Sequence, residues 1–166
     1  MRTQSSDAIR PARPSDAKAV AAVVRAAYAI YVDRIGKPPG PMLDDYAARI
    51  AEGSVSVIED GAGGIAGIIV LLPERDHLLL DNIAVRPDCR GRGFGHGLIA
   101  FAEAEARRRG YSEIRLYTHE AMTENIALYG RIGFVETARG RQASYDRVFM
   151  TKTLGPPRER KRSRRP

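Results

Sequence analysis

The stretch RPDCRGRGFGHG, residues 86–97, decides the fold of this chain. Glycine stands at every second position from 91 to 97. The apolar run LLLDNIAV precedes the stretch and the helical pattern LIAFAEAEARRRG follows it, which predicts a loop between a strand and a helix. Glycine permits positive φ and close approach of the backbone. A glycine-rich turn that opens a helix therefore aims several N–H groups at one point, and the pattern predicts a phosphate site.

Two common phosphate-binding patterns are excluded. The dinucleotide pattern G-x-G-x-x-G fails because its third glycine would be His96 when counted from Gly91, or Leu98 when counted from Gly93. The Walker A pattern fails because the stretch has no Gly-Lys-Ser/Thr. A tight packing turn without a ligand is the alternative interpretation of the glycines.

Two motifs carry a resemblance to a known family. Arg90-Gly91-Arg92-Gly93-Phe94-Gly95 fits the pattern Arg/Gln-x-x-Gly-x-Gly directly after a strand. Downstream, the chain has an Asn…Tyr…Gly-Phe segment formed by Asn125, Tyr129 and Gly133-Phe134. In order and flanking elements the two segments resemble motifs A and B of the GNAT superfamily of N-acetyltransferases. The resemblance covers roughly residues 7–154.

The apolar patterns predict the element order β-α-α-β-β-β-α-β-α-β-β. We expect a first strand at 8–12, a helix capped by Ser15, a second helix from about Met42 to Ala51, and a final hairpin at 134–154. The predicted fold class is α/β (α+β), with a mixed, mostly antiparallel sheet and helices on both faces. The resemblance implies a single GNAT domain at 1–154, with the sheet splayed between its fourth and fifth strands.

Composition and charge exclude several function classes. The single cysteine, Cys89, cannot form an internal disulfide, and no cluster of ligands predicts a metal site. No apolar run is long enough for a membrane helix, and the start lacks the apolar core of a signal peptide, so we expect a cytoplasmic protein without membrane contact.

The net charge is +7, but the segment 155–166 carries +5 of it. We expect this basic tail to be disordered, and nucleic-acid binding is disfavoured because it would rest on the tail alone.

The resemblance implies direct transfer of an acetyl group from acetyl-CoA to a primary amine in a ternary complex, without a metal. The backbones of Ile83 and Val85 are expected to pair with the pantetheine arm, and Ala84 between them is a further expected cofactor contact. Other residues are expected to contact the cofactor through the pyrophosphate loop or motif B: Arg90, Gly91, Arg92, Gly93, Phe94, Gly95, His96, Asn125 and Tyr129.

Two side chains are predicted to be catalytic. Tyr129 matches the general acid that protonates the departing thiolate, and its alternative is a packed helix tyrosine. Asp81 is the predicted base, acting through a water relay, and its alternative is an ion pair with an arginine. His119 is a second candidate for the base, and its alternative is an exposed residue at the end of a strand. Strict alternation along the strand places Asp81 on one face with Ile83, opposite Asn82.

The acceptor side is expected at the first two helices and at the end of the strand 113–119. Candidate acceptor contacts are Tyr28, Tyr31, Asp81, His119 and Glu120, although the tyrosines could equally belong to the core. We expect a small-molecule amine as the acceptor. The alternatives are a protein N-terminus or lysine, and a regulator that binds CoA without catalysis. A homodimer through the C-terminal hairpin is a further expectation.

Overall fold

The computed structural model describes residues 9–155, which form seven strands and four α-helices in the predicted order. In chain order these are β1 (Ile9–Pro11), α1 (Ala17–Ile35), α2 (Tyr46–Ala51), β2 (Val55–Glu59), β3 (Ile65–Pro73), β4 (Leu78–Val85), α3 (Phe94–Arg108), β5 (Glu113–His119), α4 (Thr123–Arg131), β6 (Val135–Gln142) and β7 (Tyr145–Thr153).

The strands form one sheet in the order β1-β2-β3-β4-β5-β7-β6. All neighbours are antiparallel except β4 and β5, which confirms the predicted mixed, mostly antiparallel sheet. The parallel pair is short, since only 78–80 of β4 pair with 114–116 of β5. Beyond these residues the two strands separate, which confirms the predicted splay.

Helices cover both faces of the sheet, as predicted. On one face, α1 and α2 pack against β2 and β3 through residues that include Val20, Val24 and Ile50. On the other face, α3 and α4 pack through residues that include Leu98 and Tyr129. The central strand β3 is buried continuously over 65–70 because it has helices on both sides.

Two predicted helix starts are wrong. Ser15 does not cap α1; it lies in a 3₁₀ turn over Pro14–Asp16, and α1 begins at Ala17. The carboxylate of Asp16 accepts hydrogen bonds from the Arg13 N–H and from Arg10, each at 2.7 Å, and these bonds hold the turn. The second helix begins at Tyr46 instead of Met42, because the side chain of Asp45 caps it by accepting from the Ala48 N–H at 3.1 Å.

The ends of the chain and the sheet edge bear on three further predictions. The predicted basic tail lies outside the described residues from 156 onward. No helix within 9–155 is long and apolar enough to cross a membrane. Strand β6 is an edge strand whose residues are all exposed, and the homodimer expected through this hairpin stays a prediction.

Gly67 of β3 lies in a tightly packed position between β4 and α3. A Cβ at this residue would lie 2.9 Å from the Ala84 carbonyl oxygen and 3.1 Å from Leu98 Cδ1. We expect Gly67→Ala to lower the free energy of unfolding by about 1–3 kcal/mol, because the backbone cannot move aside without disturbing the sheet. Urea denaturation measures the loss. Gly140→Ala is the control, since nothing lies within 4 Å of its added Cβ, and equal stability of the two variants would contradict the tight approach.

Candidate active site

The glycine-rich loop forms an open helix start. Gly91 and Gly93 have φ of 75° and 86°, which is the left-handed region that favours glycine. Gly93 is the N-cap of α3 and has no side chain to bond the first turn. The first N–H groups of a helix have no partner within it. The N–H groups at 94–96 are therefore available to an anion, and the helix dipole favours negative charge there.

A groove of about 670 Å³ runs from this loop along β4 and α4. Arg90 joins the loop to α1 by donating a hydrogen bond to the Ala27 carbonyl oxygen at 3.3 Å. Arg92 is the predicted cofactor contact that does not line the groove, and its guanidinium lies over the Phe94 ring at 5.2 Å instead. The other predicted contacts all line it: Ile83, Ala84, Val85, Arg90, Gly91, Gly93, Phe94, Gly95, His96, Asn125 and Tyr129.

The splay leaves one edge of β4 without a strand partner. The Arg86 N–H donates to the Ala66 carbonyl oxygen of β3 at 2.7 Å. Since backbone groups alternate sides along an antiparallel pair, the N–H and C=O groups of Ile83 and Val85 point the other way, into the gap. Tyr28 already reaches this edge, with its hydroxyl 3.3 Å from the Ile83 carbonyl oxygen. The edge offers backbone hydrogen bonds to an extended ligand.

A second cavity of about 320 Å³ lies on the other side of the splay. It shares four lining residues with the groove, Tyr28, Ile83, Asn125 and Tyr129, so the two spaces adjoin. Tyr129 is buried, with its ring edge-on to Phe134 at 5.8 Å. Among residues 9–155 its hydroxyl has no hydrogen-bond partner, and burial raises its pKa above the ordinary tyrosine value. The hydroxyl therefore stays protonated at neutral pH and is free to donate.

Asp81 lies at a β-bulge, which overturns the face predicted for it. Val70 pairs with Asn82 and the next residue of β3 pairs with Leu80, so Asp81 has no partner. An extra residue breaks the alternation of side chains along a strand. Asn82 consequently faces α1 and α2, where it bonds to Tyr28 and Tyr46, and Asp81 lies near Arg49 of α2. Leu80 and Ile83 instead belong to the hydrophobic cluster under α3. The bulge aims the carboxylate into the second cavity.

The environment of Asp81 makes its carboxyl group less acidic than that of an exposed aspartate. Burial raises the pKa of this carboxyl group above its ordinary value, while a hydrogen bond from the Tyr117 hydroxyl at 3.1 Å lowers it. The charges of Arg49 and Arg147 also lower the pKa, and that of Asp44 raises it. Burial is the largest of these effects, so Asp81 is a stronger base than an exposed aspartate.

The four other predicted acceptor contacts separate in the structure. Tyr28 lines both the groove and the second cavity, but Tyr31 lines the groove alone. His119 lines the second cavity, and its Nδ1 accepts from the Ala121 N–H at 3.0 Å. Glu120 lines a third, neighbouring pocket instead. Tyr31 and Glu120 therefore do not line the second cavity, because the turn after β5 directs Glu120 toward the third pocket and α1 directs Tyr31 toward the groove. Their contacts with an acceptor stay predictions.

Sequence reasoning missed a buried polar network under the cavity. The Tyr28 hydroxyl donates to Asn82 Oδ1 at 2.7 Å, and Asn82 Nδ2 donates to the Tyr46 hydroxyl at 3.0 Å. The predicted alternation of β4 hid this role, because it placed Asn82 away from Asp81. The network satisfies a buried amide whose desolvation would otherwise be costly.

Sequence reasoning also missed the residues of β7 that line the second cavity. Tyr145 and Arg147 line the cavity from this strand. Their spacing of two residues indicated a shared strand face, but nothing in the sequence showed what that face meets. The Tyr145 hydroxyl donates to the Pro38 carbonyl oxygen at 2.7 Å, and Lys37 Nζ donates to the Ser144 carbonyl oxygen at 2.7 Å. The connection between α1 and α2 is thus joined to the β6–β7 hairpin across the cavity.

Comparisons with known proteins agree with this architecture. The family model described as Acetyltransferase (GNAT) family matches residues 21–134. N-acetyltransferase family 8 member 2 of Rattus norvegicus is 32% identical over 93 residues, which are 52% of this chain and 41% of that protein. The chain spans less than half the length of each of the three curated relatives compared.

Solved structures share the fold. The PaiA N-acetyltransferase of Thermoplasma acidophilum, in complex with coenzyme A, superposes with a TM-score of 0.73 at 18% identity, over 88% of this chain and 98% of that one. A ribosomal-protein-alanine N-acetyltransferase of Escherichia coli superposes with a TM-score of 0.70 at 22% identity, over 92% of this chain and 96% of that one. At this level of identity the likeness extends to the fold.

Proposed function

The chain belongs to the GNAT family of acetyltransferases, and we propose that it is an N-acetyltransferase that transfers the acetyl group of acetyl-CoA to a primary amine of a small molecule. One observation carries the proposal: Tyr129 stands where the groove and the second cavity meet. A donor lying in the groove and an acceptor lying in the cavity would both reach its hydroxyl.

The groove fits acetyl-CoA in its chemistry. The open N–H groups before the first turn of α3 suit a pyrophosphate, and the free edge of β4 at Ile83 and Val85 suits the amides of a pantetheine arm. The structural relative from Thermoplasma acidophilum was solved with coenzyme A. Arg90 and Arg131 line the groove and favour an anionic ligand.

The proposed reaction uses two side chains of this protein. Acetyl-CoA supplies a thioester; a bond forms from the amine nitrogen to the carbonyl carbon as the carbon–sulfur bond breaks. The bound ammonium group first gives one proton through a water molecule to Asp81, which releases it to solvent, and this leaves the neutral amine that attacks. The nitrogen loses its second proton to water as the carbon–sulfur bond breaks. Tyr129 donates its proton to the departing sulfur and regains one from solvent.

The acceptor is a small molecule in this proposal because contacts across the cavity narrow it on the side away from the groove. The bonds from Tyr145 to Pro38 and from Lys37 to Ser144 span the gap between the α1–α2 connection and the β6–β7 hairpin. A peptide chain would need more room in this gap. The volume of about 320 Å³ suits a small amine.

Calorimetric titration with acetyl-CoA tests the proposal first, with ATP and NAD as controls. We expect binding of acetyl-CoA alone. A panel of small amines and peptides is then followed by release of free thiol. Failure of the folded protein to bind acetyl-CoA would refute the proposed function. Acetylation of peptides in preference to every small amine would refute the small-molecule acceptor.

Asp81→Asn is expected to lower kcat by about 100-fold, because Asn cannot accept the amine proton. The same change is expected to stabilise the fold at neutral pH. Folding raises the pKa of Asp81, so ionisation of this group destabilises the folded state at pH values above its ordinary pKa of 3.8. The gain in stability from Asp81→Asn should therefore be present at pH 7 and vanish below about pH 4, where the carboxyl group is protonated in both states. Urea denaturation at both pH values and thiol-release kinetics measure the two effects; an unchanged kcat would remove Asp81 from the mechanism.

A further inference from the structure

The second cavity contains one negative and one positive side chain that lack ionic partners among residues 9–155. Asp44 and Arg49 neutralise each other at 3.1 Å. Asp81 and Arg147 line the same cavity, and neither forms a salt bridge with any other described residue. The cavity therefore presents a carboxylate and a guanidinium to whatever occupies it.

Arg147 is held in place by stacking rather than by hydrogen bonds. Its guanidinium lies over the Tyr117 ring at 4.2 Å and near the Tyr145 ring at 5.2 Å. Its Nε is buried and has no hydrogen-bond partner among the described residues. Aromatic contacts cover the faces of a guanidinium and leave its N–H edge available. A buried donor without a partner calls for an explanation, and a carboxylate matches the two-pronged edge of arginine.

Tyr117 places the two charges close to each other. Its hydroxyl donates to Asp81 at 3.1 Å, while the face of its ring lies against Arg147. A ligand spanning them would need a positive group near Asp81 and a negative group one tyrosine ring away. An amine and a carboxylate on the same small molecule have this arrangement.

We propose that the acceptor is a small amine that also carries a carboxylate, such as a free amino acid, and that Arg147 selects it by binding the carboxylate. This inference rests on the acetyltransferase function proposed above. The amine lies between Asp81 and the junction at Tyr129, and the carboxylate lies against the N–H edge of Arg147. Arg147 acts on binding of the acceptor and takes no part in the proton transfers.

Matched pairs of acceptors test the proposal: phenylalanine with phenethylamine, histidine with histamine, and lysine with cadaverine. We expect the wild-type protein to acetylate at least one amino acid with a kcat/KM at least 10-fold above that of its decarboxylated partner. Arg147→Met keeps an unbranched apolar side chain for packing and removes the guanidinium group. We expect it to lower the kcat/KM of that amino acid by about 10- to 100-fold, mainly through KM. Loss of the positive charge near Asp81 acts on both members of a pair alike. The ratio of kcat/KM between the amino acid and its decarboxylated partner should therefore fall toward one, which a merely structural role of Arg147 would not predict.

Arg107→Met is the matched control, because Arg107 is exposed on α3 and the same charge is lost away from the cavity. Equal use of amino acids and their decarboxylated partners, or equal loss of both in Arg147→Met, would overturn the inference and leave the acetyltransferase function intact. A preference for ethanolamine phosphate over every amino acid would show that the site selects a phosphate, and this would overturn the proposal that Arg147 binds a carboxylate.

If acetyl-CoA binds but no amine is acetylated, the proposed function fails. Calorimetric binding of the same amino acids to the CoA complex then decides the inference. Binding that is weakened in Arg147→Met supports it, and absence of binding overturns it.

Discussion

Tyr129→Phe is expected to lower kcat by about 100-fold or more, because it removes the proton donor for the departing thiolate. The affinity for acetyl-CoA should change little, since the ring that lines the groove remains. Stability should also be nearly unchanged, because the hydroxyl has no hydrogen-bond partner among the described residues and the contact with Phe134 is kept. Burial raises the pKa of Tyr129, so the wild-type enzyme should show no loss of this proton up to about pH 10. Single-turnover release of thiol measures the chemical step.

Tyr111→Phe is the control for this change. The Tyr111 hydroxyl donates to the Glu74 carbonyl oxygen at 2.6 Å. Tyr111 lines neither the groove nor the second cavity. Its loss should leave the rate of acetyl transfer as it is. A Tyr129→Phe variant with wild-type kcat on an active amine would show that another group protonates the thiolate, and the argument from the junction would fail.

Gly93→Ala is expected to weaken binding of acetyl-CoA by roughly 10-fold, because an alanine in the left-handed region costs about 1–2 kcal/mol. The loop can relieve this strain only by rotating the peptide groups around the start of α3. The N–H groups at 94–96 would then no longer converge on one point. Calorimetric titration with acetyl-CoA measures the loss of affinity.

Gly110→Ala separates this effect from general strain. Gly110 has φ of 81° and, as at Gly93, nothing lies within 4 Å of an added Cβ. The two variants should therefore lose similar stability, but Gly110 follows α3 at its far end. Equal affinity for acetyl-CoA in both variants would show that the loop does not bind the pyrophosphate through its backbone.

The sequence by itself was sufficient for the family, the order of elements and the groove. These features depend on local pattern: the glycines at 91 and 93 mark positive φ, and the spacing of apolar residues separates strands from helices. The Asn125 and Tyr129 motif was predictive for the same reason, since one short helix carries both residues. Ser15 and Met42 show the limit of such reasoning, because a competing local hydrogen bond moved each helix start.

The tertiary structure alone decided the second cavity. Which face of β4 carries Asp81 depends on a bulge, and a bulge arises from pairing with β3, about ten residues away in the chain. Arg147 meets Tyr117 only because β7 lies beside β5 in the sheet. The glycine-rich loop is one continuous segment, and its geometry follows from local backbone preferences. The second cavity is lined by residues of separate strands and helices, whose meeting depends on sheet register and packing that no single segment encodes.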